Sequence, residues 1–98
     1  MDVDTALDRL RPHLEELRSY GVERIAIFGS VATGASDLNS DIDILVRFDK
    51  NKKKFDNFMD VRFLVEGIFP ENKIDLVLED ALKPAIKQKI LSEARDVA

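Results

Sequence analysis

The chain has 98 residues, with 15 basic and 19 acidic side chains and a formal net charge of −4. This acidic balance argues against bulk binding of nucleic acid, which draws its affinity from lysine and arginine. The absence of cysteine excludes disulfides, thiolate nucleophiles and cysteine zinc sites. A two-domain cleft is beyond a chain of this size, so we expect one domain over residues 1–98 that shares its substrate with another molecule.

The N-terminal segment MDVDTALDRLRPHLEELRSYG carries charge throughout and lacks the apolar stretch of a signal peptide. No apolar run in the chain approaches the ~18 residues that a membrane span needs. We therefore expect a cytoplasmic protein with no membrane partner.

The same segment has the spacing of an amphipathic helix that ends at Gly21. The apolar positions of this predicted helix are Val3, Leu7, Leu10, Leu14 and Leu17. Pro12 falls within the apolar stripe and removes a backbone donor, which predicts a kink, or a second helix beginning near Arg11.

Two predicted strands follow, separated by a loop. The first strand covers residues 22–28 and ends at Gly29, and residues 30–40 are small and polar, which predicts a helical turn and then a loop. Residues 41–48, DIDILVRF, predict a second strand because apolar side chains alternate along it. One face of that strand carries Ile42, Ile44, Val46 and Phe48, and the other carries Asp41, Asp43, Leu45 and Arg47.

The second half of the chain predicts a helix over residues 55–67, a strand over residues 73–78 and a helix over residues 82–91. Asp80 is the predicted cap of the last helix, and Pro84 falls in its first turn, where proline is tolerated. This order of elements predicts an α/β (α+β) fold with a small mixed three-stranded sheet flanked by helices.

Aspartates stand where strands seldom place them. Asp41 and Asp43 share a strand face, with roughly 6.5–7 Å between their alpha carbons, and Asp75 interrupts the apolar run of the third strand. If the two strands are neighbours, three carboxylates converge, and their repulsion favours a divalent cation such as magnesium. The simpler alternatives are solvent-exposed acids at the start of an edge strand and, for Asp75, a salt bridge.

Gly29 and Ser30 close the first strand and open the helical turn, where backbone N–H groups favour an anion. An ordinary strand-to-helix turn with a serine cap explains the same two residues. An anion site beside a cation site is the arrangement that phosphoryl or nucleotidyl transfer requires.

Taken together, these motifs resemble the signature of the DNA polymerase beta-like nucleotidyltransferases. The residues that carry the resemblance are Gly29, Ser30, Gly34, the run from Ser40 to Leu45, and Asp75 within IDLV. The C-terminal segment from Leu82 to Ala94 resembles the minimal nucleotidyltransferase branch, and the resemblance covers the chain from about Val22 onward. The sequence departs from the family pattern at Thr33, where many members carry arginine or lysine.

The resemblance implies the polymerase beta-like nucleotidyltransferase fold and the transfer of AMP from ATP with two Mg²⁺ ions. In this family Asp41 and Asp43 would hold the metals, and Asp75 would complete the metal site and help to activate the acceptor hydroxyl. Gly29 and Ser30 would contact the triphosphate, and Ser40 would join the nucleotide site. The implied partner is a HEPN-domain toxin, modified on a hydroxyl, typically of tyrosine, by its antitoxin; homo- and hetero-oligomers both fit the resemblance.

Two other functions compete with this hypothesis. The chain could be a non-catalytic binding module that neutralises or scaffolds its partner by contact alone. It could also be a small-molecule transferase of the aminoglycoside-modifying kind, which requires a further substrate domain. The phenylalanines at positions 55, 58, 63 and 69 are mostly expected in the core, and any surplus exposed on one face would indicate a docking surface.

Overall fold

The computed structural model describes residues 1–35, 41–51 and 55–98. The predicted loop over residues 36–40, with Ser40, and the three lysines at 52–54 lie outside the described residues. In the described part of the chain, no helix has both the length and the apolar character needed to cross a membrane.

The N-terminal segment, predicted from its apolar spacing to be helical, forms two short α-helices. Helix α1 covers Val3–Leu10, a 3-10 turn covers Arg11–His13, and α2 covers Leu14–Ser19. The interruption at Pro12 confirms the predicted break, although the second α-helix begins one turn later than expected. At the start of α1, the side chain of Asp2 accepts a 2.8 Å hydrogen bond from the backbone N–H of Thr5.

Within residues 1–35, 41–51 and 55–98, the sheet has four strands in the order β3-β2-β1-β4. The strands are β1 Val22–Phe28, β2 Ile42–Phe48, β3 Ile74–Leu78 and β4 Arg95–Asp96. Strand β2 pairs antiparallel with β1 and parallel with β3, which confirms a mixed sheet. The predicted count of three strands is wrong, because the two-residue β4 pairs with Ala26 and Ile27 of β1. A polar strand of two residues has no periodicity to detect.

The remaining helices are α3 Gly29–Thr33, α4 Phe55–Ile68 and α5 Pro84–Glu93. The predicted capping role of Asp80 is wrong. Asp80 lies in a 3-10 turn over Glu79–Ala81, and α5 begins at Pro84 after Lys83, with no side-chain cap. Proline fixes its own φ for the first helical position, so the helix begins there and not at residue 82.

Helices cover both faces of the sheet. One face carries the apolar side chains of β1 and β2 that form the main core with α1, α2 and α4. The other face carries the smaller cluster of Ala26, Phe28 and Leu45, against which Ile90 and Leu91 of α5 pack. Because side chains alternate along β2, Asp43 and Arg47 share this second face with Leu45.

The far end of the second face is held by ion pairs around Glu79, which is 4% exposed. Its carboxylate accepts hydrogen bonds from Arg24 at 3.1 Å and from Arg47 at 3.4 Å. Arg24 also pairs with Asp96 of β4 at 2.7 Å. These contacts connect the segment after β3 and the short β4 to the central strands β1 and β2. Asp43 lies at the opposite end of the same face, near the start of β2.

Candidate functional site

The sheet register brings Asp43 and Asp75 together. They are direct partners on the parallel strands β2 and β3, which lie about 4.8 Å apart in a sheet. Asp41 directly precedes β2 and, two residues before Asp43, projects to the same side. Asp43 is half-buried, whereas Asp41 and Asp75 are exposed. The second and third strands are therefore neighbours, which is the condition for the three aspartates to form the predicted cluster, here called the acidic patch.

This arrangement disfavours ionisation of the Asp43 carboxyl group. Burial raises the pKa of Asp43 above its ordinary value of 3.8, and the charges of Asp75 and Asp41 raise it further. A hydrogen bond with the Asp75 carboxyl group acts in the same direction. The half-buried carboxylate is therefore in an environment that disfavours its negative charge.

Gly29 lies directly against the Asp43 carboxylate. Its φ angle is +70°, in the left-handed region that favours glycine. A Cβ atom built at this position would lie 3.0 Å from the carboxyl carbon of Asp43 and closer still to Oδ2. The cross-strand partner of Asp43 in β1 is Phe28, the residue before Gly29. The pairing of β1 with β2 thus places Gly29 beside the Asp43 carboxylate. A side chain at position 29 would displace that carboxylate and disturb the strand pairing.

The short helix α3 follows at once, so Ser30 lies in its first turn and is half-buried. Phe28 occupies the N-cap position and no side chain caps the helix, so the alternative of Ser30 as a cap is wrong. Thr33 donates its hydroxyl back to the carbonyl oxygens of Gly29 at 3.2 Å and Ser30 at 3.4 Å. Gly34 ends the helix with φ +80°. The Thr33 hydroxyl is thus bonded to its own helix.

The predicted site residues thus fall into two adjoining groups. Asp41, Asp43 and Asp75 gather at the start of β2 and β3, and Gly29 with Ser30 lies beside them at the end of β1. In the part of the chain that the structure describes, no three carboxylate or imidazole groups converge tightly enough to form a metal-binding cluster by themselves. The contact between Gly29 and Asp43 is a feature that sequence reasoning missed, because it depends on the pairing of β1 with β2.

Comparisons with known proteins find relatives of the chain. A family model described as polymerase beta, nucleotidyltransferase, matches residues 14–97. The protein adenylyltransferase MntA of Thermococcus cleftensis is 34% identical over 85 residues, which are 86% of this chain and 84% of that protein. A candidate protein adenylyltransferase of Methanocaldococcus jannaschii is 42% identical over 87 residues, 85% of each chain.

Solved structures give the same fold. A candidate minimal nucleotidyltransferase superposes with a TM-score of 0.82 at 30% identity, covering 97% of this chain and 95% of its own. A chain from a toxin–antitoxin crystal structure with AMP-PNP has a TM-score of 0.60 at 20% identity and covers 90% of this chain and 72% of its own. At that identity the second likeness concerns the fold alone.

Proposed function

The chain belongs to the polymerase beta nucleotidyltransferase family, as a minimal nucleotidyltransferase, and from this premise we propose that it transfers AMP from ATP to a hydroxyl of a partner protein. The observation that carries the proposal is the pairing of Asp43 with Asp75 beside a glycine that leaves room for the Asp43 carboxylate. The two carboxylates on neighbouring strands would supply the cation site, and the helical turn beside them would supply the anion site. Nucleotide transfer requires both.

The three aspartates offer the donor type that divalent metal ions take, although in the described structure they do not lie close enough together to form a metal-binding cluster. Their donors are hard oxygen atoms, the type that Mg²⁺ prefers. Burial and the charges of Asp75 and Asp41 raise the pKa of Asp43, so a nearby cation would stabilise its ionised form. We assign Asp41 and Asp43 to hold two Mg²⁺ ions and Asp75 to complete the site. When bound, these ions would neutralise phosphate charge and stabilise the attacking and leaving oxygens.

The residues of the chain supply the remaining tasks. Asp75 is exposed, so an incoming hydroxyl can reach it and transfer its proton to that carboxylate. Gly29 and Ser30 would bind the triphosphate through the backbone N–H groups of the α3 turn and the serine hydroxyl, because no side chain occupies that cap. Ser40, which precedes Asp41, is assigned to the same nucleotide site on the resemblance alone.

For the acceptor we propose a tyrosine hydroxyl of a HEPN-domain toxin, so that the chain acts as its antitoxin. Support comes from the relative in Thermococcus cleftensis, which is named a protein adenylyltransferase. Chains of the same fold also come from toxin–antitoxin crystals. Modification of the toxin, and not sequestration, would then neutralise it, which is consistent with an exposed Asp75.

One observation favours a second candidate, a module that neutralises its partner by contact. Thr33 hydrogen-bonds to its own helix and brings no positive charge to the proposed phosphate site. Without that charge, affinity for the triphosphate would be lower. A protein that retains the fold and neutralises its partner by contact does not need high affinity for ATP.

Incubation with labelled ATP, Mg²⁺ and the product of the neighbouring gene separates the two. The proposal expects label on the partner, loss of label with a metal chelator, and loss in Asp41→Asn/Asp43→Asn. Asp49→Asn is the matched control, because Asp49 lies just beyond the opposite end of β2, where its side chain accepts a 2.9 Å hydrogen bond from the backbone N–H of Asn51. Labelling that survives the double variant contradicts the catalytic assignment. A double variant that neutralises the toxin fully favours the binding module.

A further inference from the structure

The exposed apolar residues of helix α4 lie away from the acidic patch. Phe55 is 75% exposed and Phe63 is 65% exposed, so the expectation that the phenylalanines are mostly in the core is wrong for these two. Helix α4 packs on the sheet face that carries the main core, whereas Asp43 lies on the other face. The groups that influence the acidic patch are therefore to be sought along the strands that carry it.

A lysine directly precedes the strand that carries Asp75. The backbone carbonyl of Lys73 accepts a 2.9 Å hydrogen bond from the N–H of Ile42, so its backbone continues the pairing of β3 with β2 by one residue. The residues that follow the two sites, Ile42 and Ile74, are register partners. Lys73 therefore lies opposite Asp41, across a strand spacing of about 4.8 Å.

Lys73 also shares a side of the sheet with the acidic patch. It lies two residues before Asp75, and side chains two positions apart along a strand point to the same side. Lys73 is exposed, as are Asp41 and Asp75. The carboxylate two residues before Lys73, that of Glu71, pairs with Arg9 of α1. The chain itself thus supplies a positive charge at the edge of the acidic patch.

The acidic patch does not complete a metal site by itself. Within the ranges that the structure describes, no three carboxylate or imidazole groups form a metal-binding cluster. Mg²⁺ usually takes one or two protein carboxylates and completes its shell with water and substrate phosphates. Lys73 acts on these two forms of the ion in opposite directions. Its charge repels a free Mg²⁺ ion and attracts the complex of Mg²⁺ with a triphosphate, whose net charge is negative.

We propose that Lys73 makes the acidic patch select the metal–triphosphate complex over the free metal ion. Lys73 is then a specificity-determining residue, because its charge decides which of the two species the aspartates bind more tightly. The metal is loaded together with the nucleotide, and little of the protein holds metal alone. This inference rests on the proposed metal and nucleotide site, but it does not depend on the transfer of AMP or on the partner protein.

Calorimetry at about 0.15 M salt tests the selection. The wild type and Lys73→Met are titrated separately with Mg²⁺ alone and with an equimolar mixture of Mg²⁺ and α,β-methylene-ATP, which retains the triphosphate but releases no AMP. Lys73→Met should bind Mg²⁺ about threefold more tightly and the complex about threefold more weakly, since exposed charges are screened by water and salt. The preference for the complex should therefore fall about tenfold.

Two further variants serve as controls. Lys73→Arg keeps the positive charge and should retain the preference of the wild type. Lys50→Met removes another exposed lysine, in the turn beyond the opposite end of β2. Position 50 lies roughly 23 Å from Asp43 along the strand, which is well beyond the screening length of ~8 Å. Lys50→Met should therefore change neither affinity.

The opposite signs separate selection from damage to the fold, because loss of folding would weaken the binding of both ligands. Unchanged affinities in Lys73→Met, changes in the same direction, or an equal loss of preference in Lys73→Arg would overturn the inference. Failure of the wild type to bind the complex would also overturn it. A wild type that shows the selection but does not label the partner would contradict the proposed transfer alone, so the two failures are distinguishable.

Discussion

Asp43 and Asp75 occupy directly opposed positions on two parallel strands, although 31 residues separate them along the chain. Folding therefore brings two like charges together and half-buries one of them. An arrangement that costs stability persists where function compensates for it. The first two predictions concern that cost and its relief.

Asp43→Asn should stabilise the metal-free protein at neutral pH. In the folded protein the pKa of Asp43 is raised above its ordinary value of 3.8, so between these two values the folded state binds more protons than the unfolded state. The contribution of Asp43 to stability therefore falls as the pH rises through that window. The gain from Asp43→Asn should be largest at neutral pH and should shrink toward pH 3.8 and below.

Urea unfolding in a chelator at a series of pH values measures this difference. Asp49→Asn, outside the acidic patch, is the control and should show little of this pH dependence. An Asp43→Asn variant that is no more stable than the wild type at neutral pH would show that neither burial nor the neighbouring carboxylates disfavour the charge of Asp43 in the folded protein.

Mg²⁺ should raise the melting temperature of the wild type. A ligand that binds only the folded state and is present at ten times its Kd adds about 1.4 kcal/mol to the free energy of unfolding. In a domain of this size, each kcal/mol raises the melting temperature by roughly 4–8 °C. Asp41→Asn/Asp43→Asn should abolish the shift, because the oxygen charges that bind the ion are gone. Thermal scans with Mg²⁺ and with chelator decide this, and an equal shift in the double variant would place the metal elsewhere.

Gly29→Ala should be more damaging than Gly34→Ala. Both glycines have positive φ, +70° and +80°, so each alanine carries a backbone penalty of about 1 kcal/mol. Apart from its own chain neighbours, none of the described residues has an atom within 4 Å of a Cβ at Gly34, whereas a Cβ at Gly29 would overlap the Asp43 carboxylate. We expect about 1 kcal/mol for Gly34→Ala and about 3 kcal/mol for Gly29→Ala.

A double-mutant cycle isolates the overlap. Asp43→Ala should recover part of the stability lost in Gly29→Ala and none of that lost in Gly34→Ala, since only the first loss comes from contact with the carboxylate. Chemical unfolding of the wild type, the three single variants and the two double variants measures it. Equal losses for the two glycines would mean that the Asp43 side chain moves aside at no cost.

Glu79→Ala should destabilise the fold without touching the acidic patch. The buried carboxylate accepts hydrogen bonds from Arg24 and Arg47, and its removal leaves both guanidinium groups without that partner. Removing one partner of a fully buried ion pair costs about 3–5 kcal/mol, but both arginines here are partly exposed, so we expect about 2 kcal/mol. Glu71→Ala, which removes an exposed pairing with Arg9, should cost clearly less than Glu79→Ala. Equal melting temperatures for the two variants would contradict this.

The hydrophobic periodicity of the sequence predicted most of the helices and strands. The alternation in residues 41–48 was sufficient to put Asp41 and Asp43 on one strand face, because successive side chains of a strand point to opposite sides. Helix α4 shows the limit. Its apolar residues surround the helix, so the sequence did not reveal that Val61 faces the core while Phe63 faces solvent.

The sequence by itself determined the local elements and the residue types of the site, since both depend on spacing along the chain. Only the tertiary structure decided that Asp75 opposes Asp43, that Gly29 lies against the same carboxylate, and that β4 completes the sheet. These are contacts between distant segments, set by strand order and register. Their energy depends on which surfaces are buried together, and no local pattern contains that information.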